Sequence, residues 1–415
     1  MGLNYKKLIS SIVDKQIHED QIPNFRWKEI HKIVSASKYL DRHGSAGLTD
    51  FLLYVQKKGN FLEHTLTINQ SEHYYMSGLI KMFERNQQWK RDYKGWKPKS
   101  YNKNKQFREL LFHLFGTYQV PKFMDNVWFR RDNGSYKYRE WYIKLTNGES
   151  LRKQKFKVPI TKKIAHYFGQ APEDYSIEQA VVFGIVHSES GNDRLVKELI
   201  ATKPSNFYEA LNFWKTFIRF INANPMLDKK MIGPIIDYVN YQKFDNSETY
   251  RDGEIVSLPP SQPNFSFNNR NPNTLINCIE KWHGNIKKSG VKELLKFEPS
   301  TIKAYLKKME ENTSIQIKQL TSNFALYDEG EQLSHCVGSY TYSCYEGKCS
   351  IWSLSKIENA ETKKILTIEI NKDKVISEIR GLYNRFPTKS EMSHIEKWSR
   401  EENLTISKWI LNGIK

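Results

Sequence analysis

The densest group of chemically versatile side chains lies at residues 333–340, which read LSHCVGSY. This segment supplies an imidazole, a thiol, two hydroxyls and a phenol, together with a glycine that frees the backbone. Folding alone rarely requires such a concentration of reactive groups, which is typical of a catalytic or binding pocket. Among them, His335 is suited to donate and accept protons near neutral pH.

Further polar groups follow on strands that are predicted downstream. Side chains alternate between the two faces of a strand, so SIWSL and LTIEI place Ser353, Thr367 and Glu369 on one face. If the loop at 333–340 folds over that face, six candidate catalytic side chains converge. They are His335, Tyr340, Thr367, Glu369, Arg380 and Asn384. The alternative is a solvent-facing sheet surface whose polarity has no functional role.

The chemistry favoured by these six residues is that of a metal-independent nuclease. His335 would act as general acid or base, Glu369 or Tyr340 would orient it, and Arg380 would stabilise an anionic phosphate. No metal or cofactor is expected in this interpretation. The sequence also lacks a P-loop, a glycine-rich dinucleotide motif and an HExxH motif, which disfavours ATP hydrolysis and nicotinamide chemistry.

Two cysteine chemistries are weaker alternatives. A zinc site is conceivable on His335, Cys336, Cys344 and Cys349, but their spacing lacks the usual Cys-x-x-Cys pair. Cys336 as a nucleophile is disfavoured because adjacent residues of an extended strand point apart, which makes His335 a poor partner. A buried Cys336 that packs as a small hydrophobic residue is favoured over both.

The charge of the chain is concentrated in one part of the sequence. The 415 residues carry a formal net charge of +18. Residues 81–163 contain 22 Lys or Arg against 7 Asp or Glu, whereas residues 320–415 contain 13 of each. An excess of this size favours a polyanionic partner for the first segment and leaves the second electrically balanced.

The basic block is also rich in aromatic residues. Cations neutralise phosphates and planar rings stack on unpaired bases, so this composition indicates contact with DNA or RNA. The candidate contacts are Trp89, Lys90, Arg91, Lys94, Trp96, Lys97, Lys99, Arg130, Arg131, Lys137, Arg139, Arg152 and Lys153. The alternative is a set of solvated helix faces whose rings are buried in a core. A membrane surface fits less well, because no long basic amphipathic helix is evident.

The elements that must position these residues indicate an α+β protein, with a predominantly helical, basic N-terminal body and a small C-terminal domain built on a short antiparallel sheet plus helices. Hydrophobic periodicity and composition divide the chain into five parts. They are a helical region at 1–80, a basic aromatic-rich helical region at 81–243, a linker or long loop at 244–273, a helical connector at 274–319 and the α+β domain at 320–415.

The order of motifs in the last domain resembles that of the PcfJ-like family. HCVGSY, SIWSL, LTIEI, an Arg-Gly pair at Arg380 and Asn384 ahead of Pro387 follow one another over about 320–398. The resemblance implies a protein of conjugative plasmids, phages or other mobile elements, with protein partners in such a complex, but no particular molecular activity. Two positions bear on ligand preference. Glu378 stands where members often have Gln, and Ser353 where Arg or Ser is found.

The sequence therefore predicts a nucleic-acid-binding protein of a mobile-element or anti-phage system, whose C-terminal pocket processes a phosphate-bearing ligand. A non-catalytic nucleic-acid-binding scaffold and a nucleotide-using transferase remain alternatives, so enzymatic activity is left open. Four cysteines in 415 residues are too few for a disulfide framework, which favours a reducing cytoplasm. No stretch approaches about 18 apolar residues, so membrane insertion is not expected.

Overall fold

A computed structural model gives the fold of most of the chain. It describes residues 5–22, 28, 31–32, 34–35, 37, 40, 46–60, 72–129, 135–202, 206–251, 254–289, 294–310, 312–407 and 410. The chain divides into two compact units, unit 1 at 1–184 and unit 2 at 185–415.

Unit 1 is helical in its described part. Its helices are α1 (Tyr5–Val13), α2 (Leu48–Lys58), α3 (Glu72–Phe83), α4 (Lys103–Phe115), α5 (Ser135–Thr146) and α6 (Lys162–Phe168), and α7 (Ile177–Ser188) crosses into unit 2. Helix α4 illustrates why these segments fold. Asn102 caps its first turn by accepting a hydrogen bond from the Lys105 amide at 3.0 Å. Phe107, Leu111 and Leu114 then repeat at helical spacing and are buried.

Unit 2 combines helices with a six-stranded sheet. Its helices are α8 (Asp193–Thr202), α9 (Leu211–Ala223), α10 (Ile232–Val239), α11 (Pro272–Ser289), α12 (Asn323–Leu333), α13 (Thr341–Tyr345) and α14 (Lys389–Glu401). A separate hairpin joins β1 (Ser247–Arg251) to β2 (Glu254–Leu258). The large sheet contains β3 (Tyr305–Glu310), β4 (Thr313–Leu320), β5 (Cys349–Glu358), β6 (Glu361–Asn371), β7 (Val375–Gly381) and β8 (Thr405–Ile406).

The strands of the large sheet follow one another in chain order, and neighbours pair antiparallel except for the parallel pair β7–β8. One face forms the apolar core of the unit. Leu354, Leu366 and Ile368 point into it, and α14 covers it with Ile395 and Trp398. The α+β class is therefore confirmed, with the addition of one parallel strand.

The opposite face of the sheet is polar, as the alternation of residues predicts. Ser353 on β5 lies opposite Thr367 on β6, which in turn lies opposite Arg380 on β7. In the adjacent row, Glu369 lies opposite Glu378. All three strands thus place polar side chains on the face that α14 leaves uncovered.

One expectation about secondary structure is wrong. The sequence places residues 274–319 in a helical connector, but strands β3 (Tyr305–Glu310) and β4 (Thr313–Leu320) occupy most of its second half. In β4, Ile315 and Ile317 are buried while the intervening Gln316 is only partly covered, which is the period of a strand. The segment 244–273 also contains regular structure, because it includes β1 and β2 and buries Phe265 and Phe267.

Across the described residues, none of the helices has the length and apolar character needed to cross a membrane.

Candidate functional site

The end of helix α12 turns His335 toward the polar face of the sheet. Ser334 adopts a left-handed conformation with φ 52°, and its amide donates to the Gly330 carbonyl. A Cβ atom at Gly330 would lie 2.7 Å from the His335 carbonyl oxygen, closer than side chains tolerate. Glycine is therefore required at 330 for the chain to fold back so tightly.

A buried relay of hydrogen bonds then holds His335. The Thr367 hydroxyl donates to Glu329 Oε1 at 2.9 Å, and His335 Nε2 lies 2.9 Å from the same hydroxyl oxygen. Because the hydroxyl gives its one proton to Glu329, the imidazole is the donor in the other bond. Lys364 completes the relay through an ion pair of 3.1 Å with Glu329 Oε2. His335 is thus oriented by Thr367 and Glu329, rather than by Glu369 or Tyr340.

Burial keeps the His335 imidazole neutral at physiological pH. Removal from water lowers its pKa to about 3, and the charges of His283 and Arg380 act in the same direction. The imidazole is therefore uncharged at neutral pH, and the one proton that it carries is donated to the Thr367 hydroxyl. Its place in the relay is that of a positioning residue.

A second set of contacts joins the loop after His335 to strand β7. The Tyr340 hydroxyl donates to Glu378 Oε2 at 3.3 Å, and Arg380 Nε donates to Glu378 Oε1 at 3.0 Å. Arg380 also donates to the Ala201 carbonyl and lies over the Phe386 ring, 5.0 Å from its centroid. The Glu378 carboxylate, first, and burial, second, raise the pKa of Tyr340 well above its ordinary value. The phenol therefore keeps its proton.

Helix α10 contributes a carboxyl group that the sequence patterns missed. Asp237 Oδ2 accepts from the Asn384 side-chain amide and lies 3.7 Å from Cys336 Sγ, whose thiol donates to it. Burial raises the pKa of Asp237 to about 7, and the nearby Glu378 carboxylate adds to the shift. This pKa lies near neutral pH, far above that of an exposed aspartate. The one available signal was a single carboxylate within the apolar helix Ile232–Val239.

A strained turn places Asn384 against Asp237. Tyr383 and Asn384 both adopt left-handed conformations, with φ 56° and 60°, which cost free energy in residues other than glycine. A Cβ atom at Gly233, one helical turn before Asp237, would lie 3.3 Å from Asn384 Cβ. The absence of a side chain at 233 lets the turn approach helix α10.

Of the six predicted catalytic residues, the fold brings five into these three sets of contacts, namely His335, Tyr340, Thr367, Arg380 and Asn384. Glu369 is half-buried opposite Glu378 in the sheet. We call the following set the polar centre: Asp237, Glu329, His335, Cys336, Tyr340, Lys364, Thr367, Glu378, Arg380 and Asn384. Within it, Asp237, Cys336, Tyr340 and Glu378 are half-buried, whereas His335, Thr367, Arg380 and Asn384 are buried.

The cysteine alternatives meet an unfavourable geometry. Burial and the Asp237 carboxylate raise the pKa of Cys336 well above its ordinary value, so this thiol is not an activated nucleophile. The His335 imidazole hydrogen-bonds to Thr367, and the Cys336 thiol donates to Asp237 instead. Among the described residues, no group of three or more His, Cys, Asp or Glu side chains is arranged to hold a metal ion.

Unit 1 exposes most of the predicted nucleic-acid contacts that the structure describes. Eight of them are exposed cations, namely Lys90, Arg91, Lys94, Lys97, Lys99, Lys137, Arg152 and Lys153. Trp96 and Arg139 are buried, and Trp89 is half-buried among Phe51, Phe83 and Tyr93. These three side chains serve the interior of unit 1. Arg130 and Arg131 lie outside the described residues.

Residues 90–99, which we call the cation segment, are fixed along the end of helix α4. Arg91 donates to the carbonyls of His113 and Gly116 at 3.0 Å, and the Tyr54 hydroxyl donates to the Trp96 carbonyl at 3.1 Å. Tyr101 follows with 94% of its surface exposed. The result is a segment with a fixed backbone and with outward cations beside an exposed ring.

Comparison with known proteins gives one match. Residues 270–396 match the family model of PcfJ-like proteins, a family of mobile-element proteins, which confirms the resemblance read from the motifs. The match starts about fifty residues ahead of those motifs and so also includes α11, β3 and β4. No curated protein and no solved structure matches the chain.

Proposed function

We propose that this chain, which carries a PcfJ-like domain at residues 270–396, binds RNA through unit 1 and cleaves it in the polar centre of unit 2 without a metal ion. The observation that carries the proposal is a pair of carboxyl groups in different environments, one of which acts electrostatically on the other. Asp237 has a pKa of about 7 and hydrogen-bonds Asn384, whereas Glu378 is paired with Arg380. A carboxyl group with a raised pKa beside a carboxylate that is paired with an arginine is an arrangement found in acid–base pairs.

In the proposed reaction, the Glu378 carboxylate accepts the proton of a ribose 2′-hydroxyl. The resulting oxygen attacks the adjacent phosphorus, and the bond to the 5′-oxygen breaks. Asp237 in its protonated form gives that oxygen a proton. The products are a 2′,3′-cyclic phosphate and a free 5′-hydroxyl, and transfer of one proton from Glu378 to Asp237 through water restores the centre.

The other groups of the centre have supporting roles. Arg380 brings positive charge toward the phosphate, and the Tyr340 phenol, which keeps its proton, holds the Glu378 carboxylate through its hydrogen bond to Oε2. His335 holds the loop that carries Cys336 and Tyr340 against the sheet through Thr367. An RNA substrate is preferred because its own 2′-hydroxyl supplies the nucleophile, which a site without a metal-bound water would otherwise lack.

Binding is assigned to the exposed cations of unit 1. Lys90, Lys94, Lys97 and Lys99 are exposed and make no ion pair among the described residues. Such side chains release condensed counterions when they contact phosphates, which makes affinity dependent on salt. The proposed setting is a mobile-element or anti-phage complex with further proteins as partners, and the PcfJ-like match supports the mobile-element part of it.

The test of catalysis compares matched carboxyl variants on labelled single-stranded RNA in the presence of EDTA. Wild type should cleave and leave cyclic phosphate ends, and Asp237→Asn and Glu378→Gln should each lower the rate by at least about 100-fold. Glu189→Gln is the control, because Glu189 is a similarly covered carboxylate that pairs with Lys215 and Arg219 instead. DNA of the same sequence should stay intact. Cleavage that survives in Asp237→Asn would contradict the assignment.

The test of binding uses charge reversal in the two units. Lys94→Glu with Lys97→Glu should weaken RNA binding by about 10-fold or more and reduce the slope of log affinity against log salt. The control, Lys363→Glu with Lys372→Glu, reverses two exposed cations of unit 2 and should leave both quantities close to wild type. If both double variants weakened RNA binding equally, unit 1 would have no dedicated RNA-binding surface.

A non-catalytic scaffold is the second candidate, and one observation favours it. The relay of His335, Thr367, Glu329 and Lys364 is satisfied by internal bonds, as in a structural network. In that case wild type would bind RNA with the expected salt dependence and would not cleave it. The same cleavage assay therefore decides between the two functions.

A further inference from the structure

Two cysteines of unit 2 lie with their sulfur atoms in contact. Cys344 is near the end of α13 and Cys349 begins β5, and their Sγ atoms are 3.9 Å apart. A disulfide bond has a length of about 2.05 Å, so the two sulfur atoms must move closer together before a bond can form. The chain has four cysteines, all of them reduced in the structure, and in the described residues this is the pair whose sulfurs meet.

The turn between the two cysteines is held by backbone bonds. The Gly347 amide donates to the Cys344 carbonyl at 3.1 Å, and the Lys348 amide donates to the Ser343 carbonyl at 2.9 Å. Gly347 is left-handed, with φ 69°, which completes the Schellman pattern at the end of α13. These backbone bonds thus hold the two cysteines at the two ends of one tight turn, with their thiols facing each other.

The surroundings of the pair differ on its two sides. Cys344 is buried in a small apolar cluster with Phe297, Leu326 and Ile351, whereas Cys349 is half-buried at the edge of that cluster. The contact with Cys349, first, and burial, second, raise the pKa of Cys344. Cys349 is therefore the thiol that a reagent in solution meets first.

We propose that Cys344 and Cys349 are a modification site at which a low-molecular-weight disulfide forms a reversible intramolecular disulfide bond. The Cys349 thiolate attacks one sulfur of the reagent and releases the other half as a thiol, which leaves a mixed disulfide. Cys344 loses its proton and attacks Cys349 Sγ, and the second half of the reagent leaves as a thiol. The two cysteines lose two electrons and two protons, and the reagent gains them.

The bond would act on the segment that carries the polar centre. Tyr340 packs against the same apolar cluster as both cysteines, and its hydroxyl bonds to Glu378. A covalent link between α13 and β5 therefore restrains the residues that directly follow Tyr340. This inference does not depend on the proposed nuclease activity, because it concerns the thiols themselves.

The test counts free thiols after equilibration with mixtures of oxidised and reduced glutathione. Wild type should pass from four thiols that maleimide can alkylate after denaturation to two, and peptide mapping should place the bond at 344–349. A variant with Cys278→Ser and Cys336→Ser should still lose two thiols. Retention of both thiols in that variant under oxidised glutathione would overturn the proposal.

Single variants separate the two steps. Cys344→Ser should trap one glutathione on Cys349, because the resolving thiol is missing. Cys349→Ser should take up much less glutathione, because the remaining thiol of the pair, Cys344, is buried. Equal labelling of the two variants would contradict the assigned order of attack. These measurements read mass and thiol number, so their outcome is distinct from that of the RNA cleavage assay.

Discussion

The cation segment of unit 1 and the polar centre of unit 2 differ in how the chain builds them. The cation segment is continuous in sequence, its charges are exposed, and each cation acts largely alone. The polar centre draws on residues from Asp237 to Asn384, which lie on α10, α12, the loop after it, β6, β7 and the turn after β7. Its groups depend on one another, because they are hydrogen-bond donors and acceptors for each other.

This difference has consequences for the energy of single substitutions. Exposed charges are screened by water and salt, so the loss of one changes stability by less than about 1 kcal/mol. A buried charge whose partner is removed stays without compensation and costs several times more. The comparison therefore predicts large effects on folding in the polar centre and small effects, confined to binding, in the cation segment.

The largest expected effect comes from Lys364→Met. The Lys364 side chain is 12% exposed and pairs with Glu329, whose side chain is fully buried. Removal of the ammonium leaves that carboxylate in the interior with the Thr367 hydrogen bond and without a positive partner, so unit 2 should lose about 3–5 kcal/mol at pH 7. The measurement is urea unfolding followed by amide hydrogen exchange in β6.

Two comparisons check that reason. Burial raises the pKa of Glu329, so protonation at lower pH should relieve part of the loss in Lys364→Met. Lys364→Met combined with Glu329→Gln should recover most of it, whereas Lys356→Met, which breaks an exposed pair with Glu358, should cost less than about 1 kcal/mol. Equal losses in Lys364→Met and Lys356→Met would erase the distinction between buried and exposed charge.

The second prediction concerns opposite effects of pH within the polar centre. The pKa of His335 falls from 6.5 to about 3 on folding, so its contribution to stability is present above pH 6.5 and is lost as pH falls. The pKa of Asp237 rises from 3.8 to about 7, so its contribution is present below pH 3.8 and is lost as pH rises toward 7. Between about pH 4 and 6.5 the two contributions oppose each other.

Single variants should reveal the two opposite dependences of stability on pH. Relative to wild type, His335→Gln should become less stable as pH rises from 4 to 6.5, and Asp237→Asn should become more stable. Each change should amount to about 3 kcal/mol across the window, with Asp237 the smaller because it is half-buried. Urea unfolding at four pH values measures both. Parallel curves for wild type and both variants would show that neither group titrates in this way.

The same contrast explains what the sequence could predict. Alternation alone predicted the shared face of Ser353, Thr367 and Glu369, because a strand has a period of two whatever it packs against. Asp237 could not be found, because the chain separates it by 147 residues from Asn384, its partner. No local period reports a contact of that range. Its one trace was a carboxylate in an apolar helix.

The helical connector predicted at 274–319 was wrong over β3 for a related reason. Tyr305 is buried and Leu306 is 67% exposed, so the edge strand β3 has too few apolar positions to display a clear period. Its pairing with β4 decides the conformation, and that pairing lies outside the sequence window. In unit 1, by contrast, composition alone predicts that the lysines of the cation segment are exposed. Composition does not predict that Trp96 and Arg139 are buried.

The smallest expected effect tests whether the cation segment acts by charge alone. Tyr101 is 94% exposed, and its backbone carbonyl accepts from the Asn60 side-chain amide at 2.7 Å, so the ring can be removed while the backbone stays fixed. Stacking of one base on a ring contributes about 1 kcal/mol or more, so Tyr101→Ala should weaken binding of single-stranded RNA about fivefold.

Tyr101→Phe keeps the ring and should bind like wild type. The salt slope should be the same in all three proteins, because no phosphate contact is lost, and this separates the ring from the lysines of the cation segment. If Tyr101→Ala bound RNA with wild-type affinity, counterion release would be the whole basis of binding by the cation segment. Unit 1 would then contact the phosphates of RNA without stacking on its unpaired bases.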